Sequence, residues 1–76
     1  MRGLVLTFPA MEVTVNGAPR DVPEGLTVRA LVEHLGLNEG PVAVEVNRAI
    51  VPRARHAEHV VAPGDVIEIV HFVGGG

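Results

Sequence analysis

The 76-residue sequence contains no cysteine, serine, lysine, glutamine, tyrosine or tryptophan. Without cysteine, the chain can form neither a disulfide framework nor a thiolate metal site. Without serine, cysteine and lysine, it also lacks most of the side chains that act as covalent nucleophiles. Threonines, histidines and carboxylates remain, and they make an independent enzyme the least favoured class.

Positive charge is also scarce. Six arginines face nine acidic residues, which gives a net charge of −3. No basic stripe is present, so we expect no direct binding of nucleic acid. No apolar run approaches the length of a membrane span, so we expect no membrane partner and a cytoplasmic location. Hydrophobic residues, almost all aliphatic, make up 47% of the chain, enough for the core of one small domain.

The first ten residues, MRGLVLTFPA, stand apart from the rest. Their apolar stretch is interrupted by Thr7 and Pro9 and is too short for a signal peptide. We therefore interpret residues 1–10 as an N-terminal extension, an alternative start or an extra edge segment. The folded domain is expected to span residues 11–73, followed by a flexible glycine tail over 74–76.

The folded part opens with a predicted hairpin. Apolar and polar residues alternate over 11–15, which is typical of a half-buried strand. Asn16 and Gly17 follow, and both tolerate the positive φ that a two-residue hairpin turn requires. A short return strand is expected over 20–22, since prolines flank it.

A helix is predicted next. Apolar residues recur at helical spacing from Val28 to Leu35 and form one stripe. Thr27 is placed to cap the first turn. Gly36 lies where a helix commonly ends in a left-handed residue, and Leu37 can then pack back on the helix.

The second half of the chain reads as strands over 42–46, 49–51 and 66–73, with an irregular or short helical segment over 53–59. The element order is then β-β-α-β-β-β, which predicts an α+β fold with one main helix on a mixed sheet. If the last strand is central, it pairs in parallel with the first, as in the β-grasp (ubiquitin-like roll) architecture.

Alternation also divides the last strand into two faces. If Ile67 and Ile69 face the helix, then Val66, Val70 and Phe72 share the opposite face. Exposed apolar side chains of this size would form a partner-docking patch. The alternative is that Phe72 folds over and fills the aliphatic core.

Four segments together resemble a known family. MEVTVNG at the start of the domain, LTVRALVEHLGL in the helix, VAVEVNRAIVPR over 42–53 and PGDVIEIVHFVGGG over 63–76 are similar to the thiamine-biosynthesis sulfur carrier proteins, a ubiquitin-like β-grasp family. The resemblance covers residues 11–76. A terminal Gly-Gly alone is a weakly specific sign of this family, but together with these strands the resemblance is strong.

The resemblance implies a function for the tail. Gly76 would supply the carboxylate that an ATP-dependent adenylating enzyme activates, a sulfur-donor enzyme would convert it to a thiocarboxylate, and thiazole synthase would take the sulfur. The chain itself would bind no cofactor or metal. Gly75 and Gly74 would let the tail enter a narrow channel in the partner, because glycine has no Cβ to meet the channel walls.

Other functions remain open. Sulfur carriers for molybdopterin or tRNA thiolation share this fold and the Gly-Gly end. The residues Phe72-Val73-Gly74 favour thiamine, since molybdopterin carriers are usually proline-rich there. A ubiquitin-like protein modifier is a further alternative, although a chain without lysine cannot build polymers on itself. A plain interaction module with an inert tail is another.

Two clusters are given structural interpretations. His56 and His59, with Glu58 between them, resemble half a metal site, but two imidazoles are too few ligands. We interpret them as ordinary surface histidines. Arg53 and Arg55 are interpreted as solvated loop charges.

Overall fold

The computed structural model describes residues 9–72 as a five-stranded mixed sheet with one helix. The elements are β1 (Ala10–Val15), β2 (Ala18–Pro23), α1 (Val28–His34), β3 (Val42–Val46), β4 (Ala49–Val51), a 3₁₀ helix (Arg53–Arg55) and β5 (Val66–His71). The strand order across the sheet is β2-β1-β5-β3-β4. The predicted α+β class and β-grasp architecture are confirmed.

The last strand is central, which is the condition for its parallel pairing with the first strand. It pairs in parallel with β1, where Thr14 lies opposite Val66, and antiparallel with β3 from Ile67 to His71. The two hairpins therefore flank β5, and α1 covers one side of the sheet. We call the other side, away from α1, the open face.

The return strand of the first hairpin is longer than predicted, because it includes both prolines. The two-residue turn makes Val15 and Ala18 a hydrogen-bonded pair. Alternation then places Pro19 and Pro23 at non-hydrogen-bonded positions of an edge strand. Their missing N–H groups cost no ladder bond there.

Local signals define both ends of α1, as predicted. The Thr27 hydroxyl accepts a hydrogen bond from the Ala30 N–H at 3.1 Å. Gly36 has φ 70°, and the Leu37 N–H donates to the Val32 carbonyl at 2.9 Å. This left-handed ending turns the chain back towards the sheet. No helix within residues 9–72 has the length and apolar character needed to cross a membrane.

The core lies between α1 and the sheet and, among residues 9–72, is aliphatic apart from one methionine. It consists of inward-facing strand residues, three residues of α1 and one loop residue: Met11, Val13, Val15, Val22, Val28, Leu31, Val32, Val44, Val46, Val51, Val61, Ile67 and Ile69. Burial of this apolar surface is the main favourable contribution to folding.

His56 departs from its interpretation as a surface histidine, which was wrong. It follows the 3₁₀ helix and is only 9% exposed. Its Nε2 lies 3.0 Å from the Val51 carbonyl, to which it donates a hydrogen bond. The ring is buried because the 3₁₀ turn folds it against the end of β4. In the part of the chain that the structure describes, no three potential ligands are grouped as a metal site.

Candidate docking face and C-terminal tail

The two faces of β5 differ sharply in exposure. Ile67 and Ile69 are buried against α1, whereas Val66, Val70 and Phe72 are 49%, 60% and 62% exposed. The predicted alternation is therefore confirmed, and Phe72 lies on the surface rather than in the core. We call Val66, Val70 and Phe72 the docking patch. Its role in binding a partner stays a prediction.

Phe72 lies just beyond β5 and still belongs to the sheet. Its N–H donates to the Pro41 carbonyl at 3.1 Å, which extends the pairing with β3 by one residue. The sheet thus fixes the backbone four residues before Gly76. The three tail glycines, Gly74, Gly75 and Gly76, lie outside the described residues, and their predicted roles stay predictions.

Ile50 is an exposed apolar residue that the sequence interpretation missed. It is 75% exposed on β4 and lies directly opposite Glu45. The signal was present in the hairpin, because a two-residue turn fixes the pairing register. Asn47 and Arg48 form that turn, with φ of 52° and 70°. Ile50 extends the apolar surface of the open face beyond the docking patch.

Two asparagine side chains bind the backbone of β5, one at its first residue and one at Ile69 within the strand. Where β1 ends, the Asn16 side chain accepts from the Ile69 N–H at 2.8 Å and donates to the Ile69 carbonyl at 3.2 Å. At the start of β5, the Asn47 Oδ1 accepts from the Val66 N–H at 2.9 Å, and its Nδ2 donates to Asp65 at 3.0 Å. These bonds fix the register of β5, and with it the face on which the docking patch lies.

His71 holds the end of β5 from the side of the sheet that α1 covers. Its Nε2 lies 2.9 Å from the Leu37 carbonyl, to which it donates a hydrogen bond. This contact ties the strand to the loop that follows α1. Arg53 and Arg55 are exposed in the 3₁₀ helix, in agreement with their interpretation as solvated charges.

Comparison with known proteins identifies the family. The ThiS family model matches residues 13–76. The sulfur carrier protein ThiS of Escherichia coli is 33% identical over 66 residues, which cover 87% of this chain and all of that protein. A crystal structure of the thiamine biosynthesis protein ThiS from Geobacter metallireducens superposes with a TM-score of 0.75 at 36% identity, covering 87% of this chain and all of the other.

A further relative is larger. The thiazole synthase of Paramagnetospirillum magneticum is 44% identical over 66 residues, which cover 87% of this chain but only 20% of that protein. The chain thus spans about a fifth of the length of that relative. The family match and the full coverage of the shorter relatives agree with the observed fold, and the chain belongs to the ThiS family.

Proposed function

We propose that the chain is a sulfur carrier whose C-terminal Gly76 carboxylate is converted to a thiocarboxylate and donates its sulfur to thiazole formation in thiamine biosynthesis. The observation that carries this proposal is the ThiS match, which runs through the strands and the tail to Gly76. The exposed docking patch supports it, because β5 leads directly from that patch towards the tail.

The chemistry explains why the carboxylate needs activation. A carboxylate is a poor electrophile, because delocalised negative charge shields its carbonyl carbon. In the proposed first step, a Gly76 carboxylate oxygen attacks the α-phosphorus of ATP and pyrophosphate leaves, which forms an acyl-adenylate. In the second step, a sulfur nucleophile at the oxidation level of hydrosulfide attacks the acyl carbon. AMP leaves with the bonding electron pair, and the proton goes to solvent.

The chain acts in this scheme as a co-substrate rather than an enzyme. The adenylating enzyme binds ATP, a sulfur-donor enzyme supplies the sulfur, and thiazole synthase consumes it. Because activation uses ATP, we propose the cytoplasm as its location. The likeness to part of a thiazole synthase favours thiazole formation over molybdopterin or tRNA thiolation.

The intact mass of the chain tests the proposal. We expect that incubation with the adenylating enzyme, ATP and a sulfide donor replaces one oxygen by one sulfur. Omission of ATP is the control and should leave the mass unchanged. An unchanged mass in the complete reaction, with an enzyme preparation that activates a known carrier, would contradict the proposal.

A graded series at Gly75 tests the role of the tail. Gly75→Ala should slow release of pyrophosphate, and Gly75→Val should nearly abolish it, because each added methyl meets the channel that receives the tail. Thermal unfolding should be unchanged, because we expect the tail to lie outside the core. Loss of stability in Gly75→Val would indicate a packed tail and contradict this view.

A further inference from the structure

The open face carries two pairs of directly opposed carboxylates. Glu45 on β3 lies opposite Glu68 on β5, and Glu12 on β1 lies opposite Asp21 on β2. Like charges that face each other across neighbouring strands destabilise a sheet. Both pairs therefore act against the stability of the free chain.

The arginines among the described residues form no ion pair with these carboxylates. Among residues 9–72, the one ion pair joins Arg29 to Glu33 on α1. Arg20 is the only arginine within a strand of the described region, and it lies opposite the buried Val13, on the α1 side of the sheet. The remaining described arginines lie in the second hairpin turn and the 3₁₀ helix: Arg48, Arg53 and Arg55. The five strands within residues 9–72 thus present only negative charge on the open face.

The Glu45–Glu68 pair lies within the apolar surface. Glu68 lies between Val66 and Val70 along β5, and Glu45 lies between Glu68 and Ile50 across the sheet. A partner that covers the docking patch must also remove water from these two carboxylates. Burial of an uncompensated charge is costly, so the partner must present a cation at this point.

The geometry of the pair suits arginine. Glu45 and Glu68 form a hydrogen-bonded pair of the antiparallel ladder, whose Cα atoms are typically about 5.5 Å apart. A planar guanidinium has five N–H donors in a fork and can contact both carboxylates at once. An ammonium is a compact point charge and bridges them less well.

We propose that Glu45 and Glu68 determine the specificity of the docking surface by receiving an arginine side chain of thiazole synthase. The inference rests on the proposed function, because it takes thiazole synthase as the partner that covers the docking patch. That choice follows from the relative in which one polypeptide, named a thiazole synthase, includes a segment similar to this chain. The like-charge pair thus lowers the stability of the free chain and favours binding of a basic partner.

The second pair provides a matched control. Glu12 lies two residues before Thr14, which pairs with Val66, so Glu12 is level with Gly64, two residues before β5. It is about eight residues along the sheet from Phe72, or roughly 25 Å. The double variant Glu12→Gln/Asp21→Asn therefore removes the same kind of repulsion, and the same charge, near Val66 but at the far end of the docking patch from Phe72.

The test compares this control with Glu45→Gln/Glu68→Gln by titration calorimetry against thiazole synthase from the same organism. Both double variants should melt higher than the natural chain, by roughly 1–5 °C, because each relieves one like-charge pair. Of the two double variants, only Glu45→Gln/Glu68→Gln should bind thiazole synthase more weakly, by about tenfold or more. It should also lose most of the salt dependence of binding.

Other results would overturn the inference. Equal losses in both double variants would indicate a general negative field, and unchanged binding of Glu45→Gln/Glu68→Gln would show that no cation is received there. If the natural chain does not bind thiazole synthase but still gains sulfur in the mass assay, the inference fails while the carrier function stands. If it binds but gains no sulfur, the proposed function fails instead.

Discussion

The two faces of β5 arise from one alternating pattern of residues, but one is buried and the other is exposed. On the side of α1, Ile67 and Ile69 are buried and belong to the core. On the open face, Val66, Val70 and Phe72 are of similar apolar character yet remain in water. Hydrophobicity alone therefore does not identify a core residue. The face that α1 leaves uncovered is the one that a partner can use.

The largest effect on stability is expected on the buried face. Ile67→Ala should lower the free energy of unfolding by about 2–5 kcal/mol, because Ile67 is fully buried and the change leaves a cavity. Val66→Ala, its neighbour on the open face, should change it by no more than about 0.5 kcal/mol. Chemical denaturation of both variants measures the contrast, and similar losses would show that the faces do not differ as described.

For binding to a partner, the larger effect is expected on the open face. Phe72→Ala should weaken binding to the adenylating enzyme or thiazole synthase by about 2 kcal/mol or more, which is tens-fold in affinity. Its thermal unfolding should barely change, because the ring is largely in water. Val60→Ala removes a similarly exposed apolar side chain outside the five-stranded sheet and should bind normally.

Calorimetry against each partner, with thermal melts of the free chain, measures this prediction. A Phe72→Ala variant that melts far earlier but binds normally when folded would place Phe72 in the core. The docking surface would then have to lie elsewhere on the molecule.

A smaller effect is expected where Asn16 holds β5 in register. Asn16→Ala removes both hydrogen bonds to Ile69 and should cost about 1–2 kcal/mol of stability. Asn16→Gly keeps the φ of 50° accessible and isolates the contribution of the side chain. Hydrogen exchange at the Ile69 amide should quicken in both variants, and unchanged exchange would show that the side chain does not fix the strand.

The smallest effect is expected at the turn that places Ile50 on the open face. Arg48 has φ 70°, which is unfavourable for a residue with a Cβ. Arg48→Gly should therefore raise the free energy of unfolding by about 0.5–1 kcal/mol, the gain being limited by the greater chain entropy of glycine. Arg48→Ala removes the same charge but leaves the unfavourable φ in place. An equal gain in stability in Arg48→Ala would therefore show that the effect comes from charge.

Features set by local interactions were predictable from the sequence. The Thr27 cap, the left-handed Gly36 and the stripe of α1 depend on residues within a few positions of one another. The two faces of β5 follow from alternation alone, once Ile67 and Ile69 are assigned to the core.

Features set by distant contacts were not predictable in the same way. His56 is buried because the 3₁₀ turn brings its ring to Val51, which spacing does not reveal. The second proline of β2 looked like a strand limit but sits where the edge strand needs no N–H. The opposed carboxylates Glu45 and Glu68 come together only through the register of β3 and β5.

The central claim is that the ordered sheet presents a reactive chain end, and tandem mass spectrometry of the sulfur-loaded chain tests it most directly. After reaction with ATP, the adenylating enzyme and a sulfide donor, the fragment series should locate the exchange of oxygen for sulfur at Gly76, with every preceding residue unmodified. Sulfur located on any other residue would contradict the account.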